Sequence, residues 1–432
     1  MKINVTNSTM VKPMSAKPCT SLWISNLDAL FPTHYHTRTL YFFRSNGAAN
    51  FFDPVVVKAA LSRALALFYP VAGRLRRDEN NRIEINCNGE GALFVVAEAD
   101  GEMDDLGGFG PRPEIGLVPM VDYSKGMSTY PLQLLQMTRF KCGGVCLGLA
   151  LDHHVCDGYS ALQFINTWSD IARGLDVTVS PIIDRTALRA RSQLNPKFPH
   201  VEYQPAPSIK TLEHNVSSET TFAMFKLTRD QLDALKAKCN NDENQLTKYT
   251  SYVTLAAHVW RCISATRGLS EYQETNLYIS VDGRSKLRPT LARGFFGNVI
   301  FPAAAVASCG ELKSNGLRYA AKIIHDTLSR MDDEYLRSAL DYLEMLPCDI
   351  SDVGRGPHTY KSPNLGIISW ARLPFYDADF GWGKPVYVGP GAPPCEGKSY
   401  VLRSSADDTG LVYAISLPKE QVKLFEELFY DI

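Results

Sequence analysis

Apolar and polar residues recur along the chain at two spacings, one typical of helices and one typical of strands. Asp53 and Pro54 begin a helical pattern, because aspartate is a favourable N-cap and proline fits the first turn. Apolar residues then recur at about helical spacing until Pro70, which ends the pattern. Residues 249–267 are largely apolar and predict a buried helix, and the charged segment 312–346 predicts a long helical one.

Short apolar runs bounded by turn residues predict strands. Residues 131–140 and 145–151 flank the turn 141–144 and predict a β-hairpin. Residues 82–86 and 92–97 flank a second turn that contains glycine, and we expect them to pair in the same way. The other predicted strands are 39–44, 220–227, 276–281, 298–306, 364–373, 385–388, 398–402 and 411–417.

The length and composition of the chain indicate two domains. A chain of 432 residues exceeds the roughly 250–300 residues at which a single hydrophobic core stops growing. Residues 192–208 are rich in Pro, Gln, Tyr and Ser and lack periodicity, which is typical of a linker. We therefore expect an N-terminal domain over residues 1–176, a linker or crossover over 177–218 and a C-terminal domain over 219–432.

Charge and cysteine content narrow the classes of function. The formal net charge is −1, so no overall field attracts nucleic acid or an anionic membrane. No apolar stretch approaches the ~18 residues of a membrane-spanning helix, and the first residues have no signal-peptide core. Ten cysteines occur without a CxxC pair and are expected to be reduced thiols. These features predict a soluble cytoplasmic protein with no nucleic-acid partner and no membrane insertion.

The candidate chemistry lies in residues 147–158, where an apolar run ends at His153-His154 and leads to Asp157-Gly158. A helix-like segment follows at once, so an imidazole is expected where a strand meets a loop. Histidine, with an ordinary pKa of about 6.5, takes and returns protons near neutrality. The alternative is a core histidine hydrogen-bonded to the backbone, with Asp157 capping the following helix.

Other common catalytic sites lack support in the sequence. Adjacent histidines point to opposite faces of an extended chain, and no HExxH motif or cysteine pair accompanies them, so a zinc site is not expected. There is no GxSxG serine elbow, no GxxxxGK[ST] loop and no GxGxxG after a strand. Near the C-terminus, residues 377–385 alternate glycines with aromatic rings, which is typical of a tight structural turn above packed rings.

The order of two motifs, His153-His154-Val155-Cys156-Asp157-Gly158 and then Asp379-Phe380-Gly381-Trp382-Gly383, resembles the plant BAHD acyl-CoA-dependent acyltransferases. Segments 68–75, 296–298 and 335–343 extend the resemblance. Within that family the sequence is most similar to the hydroxycinnamoyl-CoA:shikimate/quinate hydroxycinnamoyltransferases and to rosmarinate synthase. The resemblance implies an α/β fold of two similar chloramphenicol-acetyltransferase-like domains, with mixed sheets, flanking helices and a channel between the domains.

The resemblance implies that His153 is the catalytic base. It would take the acceptor's proton as the acceptor oxygen attacks the thioester carbonyl, and would then return a proton to the CoA sulfur. No covalent acyl-enzyme is required. Trp370 is implied at the active centre, where its indole N–H would donate to the tetrahedral oxyanion. Structural roles are implied for Asp157 and its partner Arg284, and for Gly158, Asp379, Gly381, Trp382 and Gly383.

The same resemblance implies a set of acceptor-binding residues. Arg355 matches an arginine that holds the acceptor carboxylate in shikimate-using relatives, and a guanidinium suits a carboxylate geometrically. Thr37, Thr39 and Tyr41 match polar positions near the acceptor pocket. Ile368 stands where shikimate-using relatives have a threonine, so one polar contact is lost. A flatter hydroxy acid such as hydroxyphenyllactate tolerates that apolar neighbour better than shikimate does.

The predicted function is transfer of a hydroxycinnamoyl group from CoA to the hydroxyl of a carboxylate-bearing acceptor. The resemblance implies a monomer without metal or cofactor, with acyl-CoA as a co-substrate and with Ser251 and Arg372 along the CoA channel. Two alternatives stay open. One is an acyltransferase that uses an amine or a neutral alcohol, and the other is a catalytically silent protein that binds acyl-CoA or phenolic ligands.

Overall fold

The computed structural model describes residues 1–15, 20–110, 115–208, 219–240, 247–346, 350, 353, 356–392, 395–404 and 410–432. The strands are β1 (Ile3–Val11), β2 (Thr20–Trp23), β3 (His36–Phe43), β4 (Arg74–Arg77), β5 (Ile83–Cys87), β6 (Ala92–Ala99), β7 (Gln133–Arg139), β8 (Val145–Asp152), β9 (Thr220–Leu227), β10 (Glu274–Asp282), β11 (Ile300–Ser308), β12 (Leu365–Ser369), β13 (Tyr387–Pro390), β14 (Lys398–Arg403) and β15 (Leu411–Pro418). The helices are α1 (Asn26–Ala29), α2 (Pro54–Leu67), α3 (Gly158–Ala172), α4 (Arg229–Asn240), α5 (Ser251–Arg267), α6 (Cys309–Ser314), α7 (Gly316–Ser329), α8 (Asp333–Glu344), α9 (Pro357–Tyr360) and α10 (Val422–Tyr430).

The first sheet has six strands in the order β1-β6-β7-β8-β3-β13. The predicted hairpin is confirmed, because β7 and β8 pair antiparallel across the turn between them. β3 pairs antiparallel with β8 and sets Thr37 opposite Leu151, near the end of β8 that leads to His153. The edge strand β13 comes from the second half of the chain and pairs with β3, so the two halves share this sheet.

The second sheet has six strands in the order β11-β10-β12-β14-β15-β9. β12 runs parallel to both β10 and β14, whereas β14 pairs antiparallel with β15. The β12–β14 register sets Ile368 opposite Tyr400 and Gly366 opposite Lys398. Both sheets are mixed, and the predicted α/β class with two sheet-containing domains is confirmed.

Helices cover the sheets where the apolar pattern predicts them. The Asp53 carboxylate accepts a 2.8 Å hydrogen bond from the Val55 backbone N–H and caps α2. α2 packs on α3, and Phe68 and Phe164 meet beside them in the first core at 5.4 Å between ring centroids. In the second half, α5 is buried against α4, α7 and α10, with Trp260 fully enclosed.

Two predicted elements are wrong. Residues 82–86 and 92–97 do not pair with each other, because β5 joins β2 and β4 in a separate three-stranded sheet while β6 joins β1 and β7. The turn between them is a local signal and does not specify which strands become partners. The segment 312–346 is not continuous either. Gly316 adopts a left-handed backbone with φ of 76°, and the Asp332 side chain caps a new helix, α8.

The predicted domain limits of 1–176, 177–218 and 219–432 stay a prediction. Residues 177–208 contain two short 3₁₀ turns, Thr186–Leu188 and Val201–Tyr203, between extended stretches. Most residues of this stretch are exposed, but the Arg185 side chain is fully buried, so the segment is anchored to the protein at this point. Among the described residues, every helix is too short or too polar to cross a membrane.

Candidate active site

A cavity of about 220 Å³ lies between the two sheets. The first sheet contributes Thr37 from β3 and Leu151 from β8 to its wall. The second sheet contributes Ile368 from β12 and Tyr400 from β14. His153, the residue directly after β8, lines the same cavity, so the strand-end histidine lies where two rigid elements enclose a space.

The orientation of the His153 ring is set by Asn298. The Asn298 amide nitrogen donates to the His153 carbonyl oxygen at 2.8 Å and to a carboxylate oxygen of Asp28 at 2.8 Å. These two acceptors fix the amide so that its oxygen faces the ring, where it accepts a 3.1 Å hydrogen bond from Nδ1. The proton of a neutral His153 ring is therefore on Nδ1, and Nε2 carries the free lone pair.

A buried ion pair lies behind Asn298. The Asp28 carboxylate also accepts from the Asn298 backbone N–H at 3.0 Å and pairs with Arg185 at 3.0 Å, and both charged side chains are fully buried. Arg185 also donates to the carbonyl oxygen of His154 at 3.3 Å. Asp28, Arg185 and Asn298, from three separate segments of the chain, thus hold the loop that presents His153.

Burial and charge keep His153 neutral. Its ring stacks on Phe31 with centroids 3.7 Å apart and an interplanar angle of 15°, and Tyr35 lies beyond at 6.3 Å. Burial is the main cause that lowers the pKa of His153 to about 4, and the ammonium of Lys398 lowers it further. At neutral pH the imidazole is therefore unprotonated, which is the state that accepts a proton.

His154 faces away from the cavity, as the alternation of side chains predicts. It is fully buried, and its Nδ1 and its backbone N–H both bond to one oxygen of Asp152, at 2.8 Å and 2.9 Å. The Asp152 carboxylate is itself fully buried on this side of β8. This pair belongs to the core of the first half rather than to the cavity.

Asp157 makes the contacts of a structural residue. Its two oxygens accept from both terminal nitrogens of Arg284, at 2.8 Å and 3.0 Å. It also accepts the backbone N–H groups of Ser160 at 3.0 Å and Val299 at 2.9 Å. No hydrogen bond links Asp157 to the His153 ring in the described part of the chain. The carboxylate ties the start of α3 to the second sheet.

The glycine-aromatic motif forms a tight loop whose residues do not line the cavity. One oxygen of Asp379 accepts the backbone N–H groups of Gly381 at 2.8 Å and Gly383 at 3.0 Å. Both glycines have a positive φ, 101° and 108°, which L side chains rarely adopt. Trp382 packs on Phe52 with centroids 5.1 Å apart. The loop therefore attaches the second half of the chain to the first core.

The other predicted site residues divide into three groups. Those that line the cavity with His153 are Thr37, Thr39, Gly158, Ile368 and Trp370. Those that are not part of its wall are Tyr41, which is fully buried, Ser251 and the exposed Arg372. Arg355 lies outside the described residues. The Trp370 ring packs against Phe375 and Tyr400, each at 4.8 Å between centroids.

Cys156 also lines the cavity but lacks the character of a nucleophile. It is buried, and burial raises the pKa of its thiol well above the ordinary value. A thiol held protonated in this way is a poor attacking group. Among the residues with described positions, no three His, Cys, Asp or Glu side chains cluster so that they could hold a metal ion.

Two groups near His153 were not singled out from the sequence. Asn298 was part of a segment that carried the family resemblance but had no assigned role, and Lys398 gave no signal. Both lie far from His153 in the chain, so only the pairing of the two halves brings them together.

Comparisons with known proteins agree with this geometry. The model of the Transferase family matches residues 1–432. The chain is 55% identical to "Shikimate O-hydroxycinnamoyltransferase" of Nicotiana tabacum and 50% identical to "Rosmarinate synthase" of Plectranthus scutellarioides, each over 100% of both chains. The structure of vinorine synthase shares the fold, with a TM-score of 0.74, 21% identity and coverage of 98% of this chain and 96% of that chain.

The family match over the full length and the identity to these relatives together assign the chain to a family. The chain belongs to the BAHD transferase family and is an acyl-CoA-dependent acyltransferase.

Proposed function

We propose that this enzyme transfers a hydroxycinnamoyl group from CoA to the hydroxyl of an acceptor that carries a carboxylate. The observation that carries the proposal is the neutral imidazole of His153, oriented by Asn298 and exposed to the cavity between the sheets. The names of the two relatives support the acyl group and the acceptor class, since one is a shikimate hydroxycinnamoyltransferase and the other a rosmarinate synthase.

His153 is proposed as the base in a direct transfer. Its Nε2 takes the proton of the acceptor hydroxyl while that oxygen bonds to the thioester carbonyl carbon. The tetrahedral intermediate then collapses, the carbon–sulfur bond breaks, and Nε2 returns the proton to the leaving thiolate. This direct transfer needs no oxidant and no covalent enzyme intermediate. The raised pKa of the Cys156 thiol agrees with the second point, because a protonated thiol is a poor nucleophile.

Trp370 is proposed as the donor that stabilises the oxyanion. It lines the cavity with His153. Among the described residues its indole N–H has no hydrogen-bond acceptor, so it is free to donate to the oxyanion. An N–H that meets charge only in the transition state is the kind of contact that accelerates acyl transfer, by about 100-fold to 1,000-fold in other enzymes.

The acceptor side of the cavity combines polar and apolar groups. The Thr37 hydroxyl is buried without a hydrogen-bond partner among the described residues, so a ligand hydroxyl would satisfy it. Ile368 offers only an apolar surface. Arg355 stays a proposed carboxylate contact, and Ser251 and Arg372 stay proposed CoA contacts.

A thiol-release assay tests the proposal. Purified enzyme with p-coumaroyl-CoA should release free thiol with hydroxy acids such as shikimate or hydroxyphenyllactate, and much less with neutral alcohols or amines. His153→Ala should abolish turnover while CoA binding, measured by calorimetry, stays nearly unchanged. His325→Ala, a distant histidine on α7, is the matched control and should retain activity.

Three results would count against the proposal. Turnover with amines or neutral alcohols alone would show that the acceptor does not need a carboxylate. Binding of acyl-CoA without any thiol release would show that the protein binds acyl-CoA but does not catalyse transfer. Turnover of the His153→Ala variant near the wild-type rate would show that His153 is not the base. A monomeric, cytoplasmic enzyme also stays a proposal, which sedimentation and cell fractionation address.

A further inference from the structure

The ammonium of Lys398 lies at the junction of two cavities. Lys398 begins β14, and its side chain lines the cavity that contains His153. It also lines an adjoining pocket of about 230 Å³. Tyr35, Thr37 and Tyr400 line both spaces as well. A ligand that extends from one cavity into the other would therefore pass this cation.

Among the described residues, the polar and aromatic contacts of Lys398 are with neutral groups. Its Nζ donates to the Tyr35 hydroxyl at 2.6 Å and lies 5.0 Å from the Tyr35 ring centroid. The rings of Tyr360 and Tyr400 lie at 5.8 Å and 5.9 Å. Within the described ranges of the chain, no aspartate or glutamate forms an ion pair with it.

A partly buried cation in this position is incompletely satisfied. An ammonium group has three N–H donors, and the phenol of Tyr35 takes one of them. Removing a charge from water is costly unless an opposite charge compensates it. Aromatic faces offset part of that cost, but they do not accept the remaining hydrogen bonds as an anion would.

The position of this cation relative to the base points to one kind of ligand. Lys398 and His153 line the same cavity, and the charge of Lys398 lowers the pKa of the imidazole. An anionic group held at Lys398 would therefore belong to the molecule that reacts at His153, rather than to a distant part of a bound chain. Thr37 lines both cavities, and its buried hydroxyl has no hydrogen-bond partner among the described residues.

We propose that Lys398 binds the carboxylate of the acceptor and thereby positions the acceptor hydroxyl at Nε2 of His153. The assignment rests on the proposed function, because it requires a hydroxy acid as the acceptor. It gives the acceptor an ion pair from β14, at a site where the neighbouring wall residue Ile368 provides no polar contact. The acceptor class is a hydroxy acid whose body packs against the rings of Tyr35, Tyr360 and Tyr400.

The test compares a hydroxy acid with its own methyl ester, which removes the charge and keeps the shape. For the wild-type enzyme, kcat/KM should favour the acid. Lys398→Met keeps the length of the side chain without its charge, and it should lower the ratio of acid to ester by tenfold or more, mainly through the KM of the acid. The KM of p-coumaroyl-CoA should change less than threefold. Lys398→Arg should retain most of the preference.

Matched variants test whether another cation, or the hydroxyl of Tyr35, accounts for the preference for the acid. Arg38→Met removes a second cation that lines the adjoining pocket but not the cavity of His153, and it should leave the ratio within threefold. Tyr35→Phe keeps the ring and frees the ammonium, so the preference for the acid should persist. Where the methionine variant is unfolded by circular dichroism, Lys398→Gln replaces it.

The inference is overturned if the ratio of acid to ester is unchanged in the Lys398 variants, or if Arg38→Met alone removes the preference. A large rise in the KM of acyl-CoA would overturn it too, because Lys398 would then contact the donor. Failure of the proposed function looks different, since the wild-type enzyme itself would release no thiol with any hydroxy acid.

Discussion

The side chains of His153 and Asn298, 145 residues apart in the chain, meet in a 3.1 Å hydrogen bond between Nδ1 and the amide oxygen. His153 follows the last residue of β8 in the first sheet, and Asn298 lies just before β11 in the second. The base is therefore oriented only when the two halves of the chain have come together. The amide cannot turn over without losing two donated hydrogen bonds, so one tautomer of the imidazole is favoured.

Replacing Asn298 should disable the base without disturbing substrate binding. In Asn298→Ala the ring loses the acceptor for Nδ1–H, and the tautomer with its lone pair on Nε2 is no longer favoured. We expect kcat to fall by about 10-fold to 100-fold, a part of the roughly 100-fold to 10,000-fold that a general base contributes, while the acceptor KM changes little. Asn80→Ala, an exposed asparagine, is the control for the substitution itself. An unchanged kcat in Asn298→Ala would show that the ring is oriented by its stacking on Phe31 instead.

The pH dependence of kcat/KM should show the effect of the Lys398 ammonium on the pKa of His153. Burial and the Lys398 ammonium lower the pKa of His153 to about 4, so the neutral base predominates at every pH above that value. For the wild-type enzyme, kcat/KM should be flat from pH 6 to 8 and fall only in more acidic buffer. In Lys398→Met the protonated ring is no longer repelled, so its pKa rises and the acidic limb moves to higher pH.

The pH profile of Lys398→Met needs a neutral acceptor. With the methyl ester, ionisation of the acceptor cannot contribute to the acidic limb. Because burial persists in the variant, the limb should stay below the ordinary histidine value of about 6.5. A limb that stays in place, or moves to lower pH, would mean that the ammonium does not act on the base.

How far the sequence predicts this structure depends on how many residues separate the interacting partners along the chain. The helix that begins at Asp53-Pro54 and the hairpin of β7 and β8 follow from local patterns, and the structure has both. The false hairpin between β5 and β6 also follows from a local pattern, because a turn specifies a reversal of the chain and not the sheet that each strand joins.

The site shows the same limit more clearly. His153 is found from its position at a strand end, but its partner Asn298 comes from the loop before β11 and the cation of Lys398 from β14, both in the second half of the chain. Arg185 lies in the predicted linker or crossover, residues 177–218, yet it forms a buried ion pair with Asp28. Polar residues of this kind give no periodic signal, and only the packing of the two halves reveals what they contact.

The ion pair between Asp157 and Arg284 should contribute to stability more than to chemistry. In Asp157→Ala, the Arg284 guanidinium and the backbone N–H groups of Ser160 and Val299 all lose an acceptor. Breaking a buried pair from one side costs about 3–5 kcal/mol, so the free energy of unfolding in urea should fall by an amount of that order. Turnover per folded molecule should fall far less than in His153→Ala.

Asp282 provides the matched control for this pair. Its carboxylate also bonds to Arg284, at 3.1 Å, but it is about half exposed. An exposed ion pair contributes about 0–1 kcal/mol, so Asp282→Ala should scarcely change the urea midpoint. Equal destabilisation by the two variants would contradict the view that burial of Asp157 gives this contact its strength.

Ile368→Thr should shift the preference of the enzyme toward polyol acceptors. Ile368 lines the cavity from β12, opposite Tyr400, and its side chain offers no hydrogen bond. Threonine is smaller and β-branched like isoleucine, so it fits the strand and adds one hydroxyl that can bond to a ring hydroxyl of the acceptor. We expect the ratio of kcat/KM for shikimate to that for hydroxyphenyllactate to rise by about fivefold to tenfold, the effect of roughly 1 kcal/mol from a net hydrogen bond. Ile368→Val, which trims the side chain without adding a polar group, separates the hydroxyl from the loss of volume. If the valine variant shifts the ratio as far as the threonine variant, the space at this position, and not its polarity, selects the acceptor.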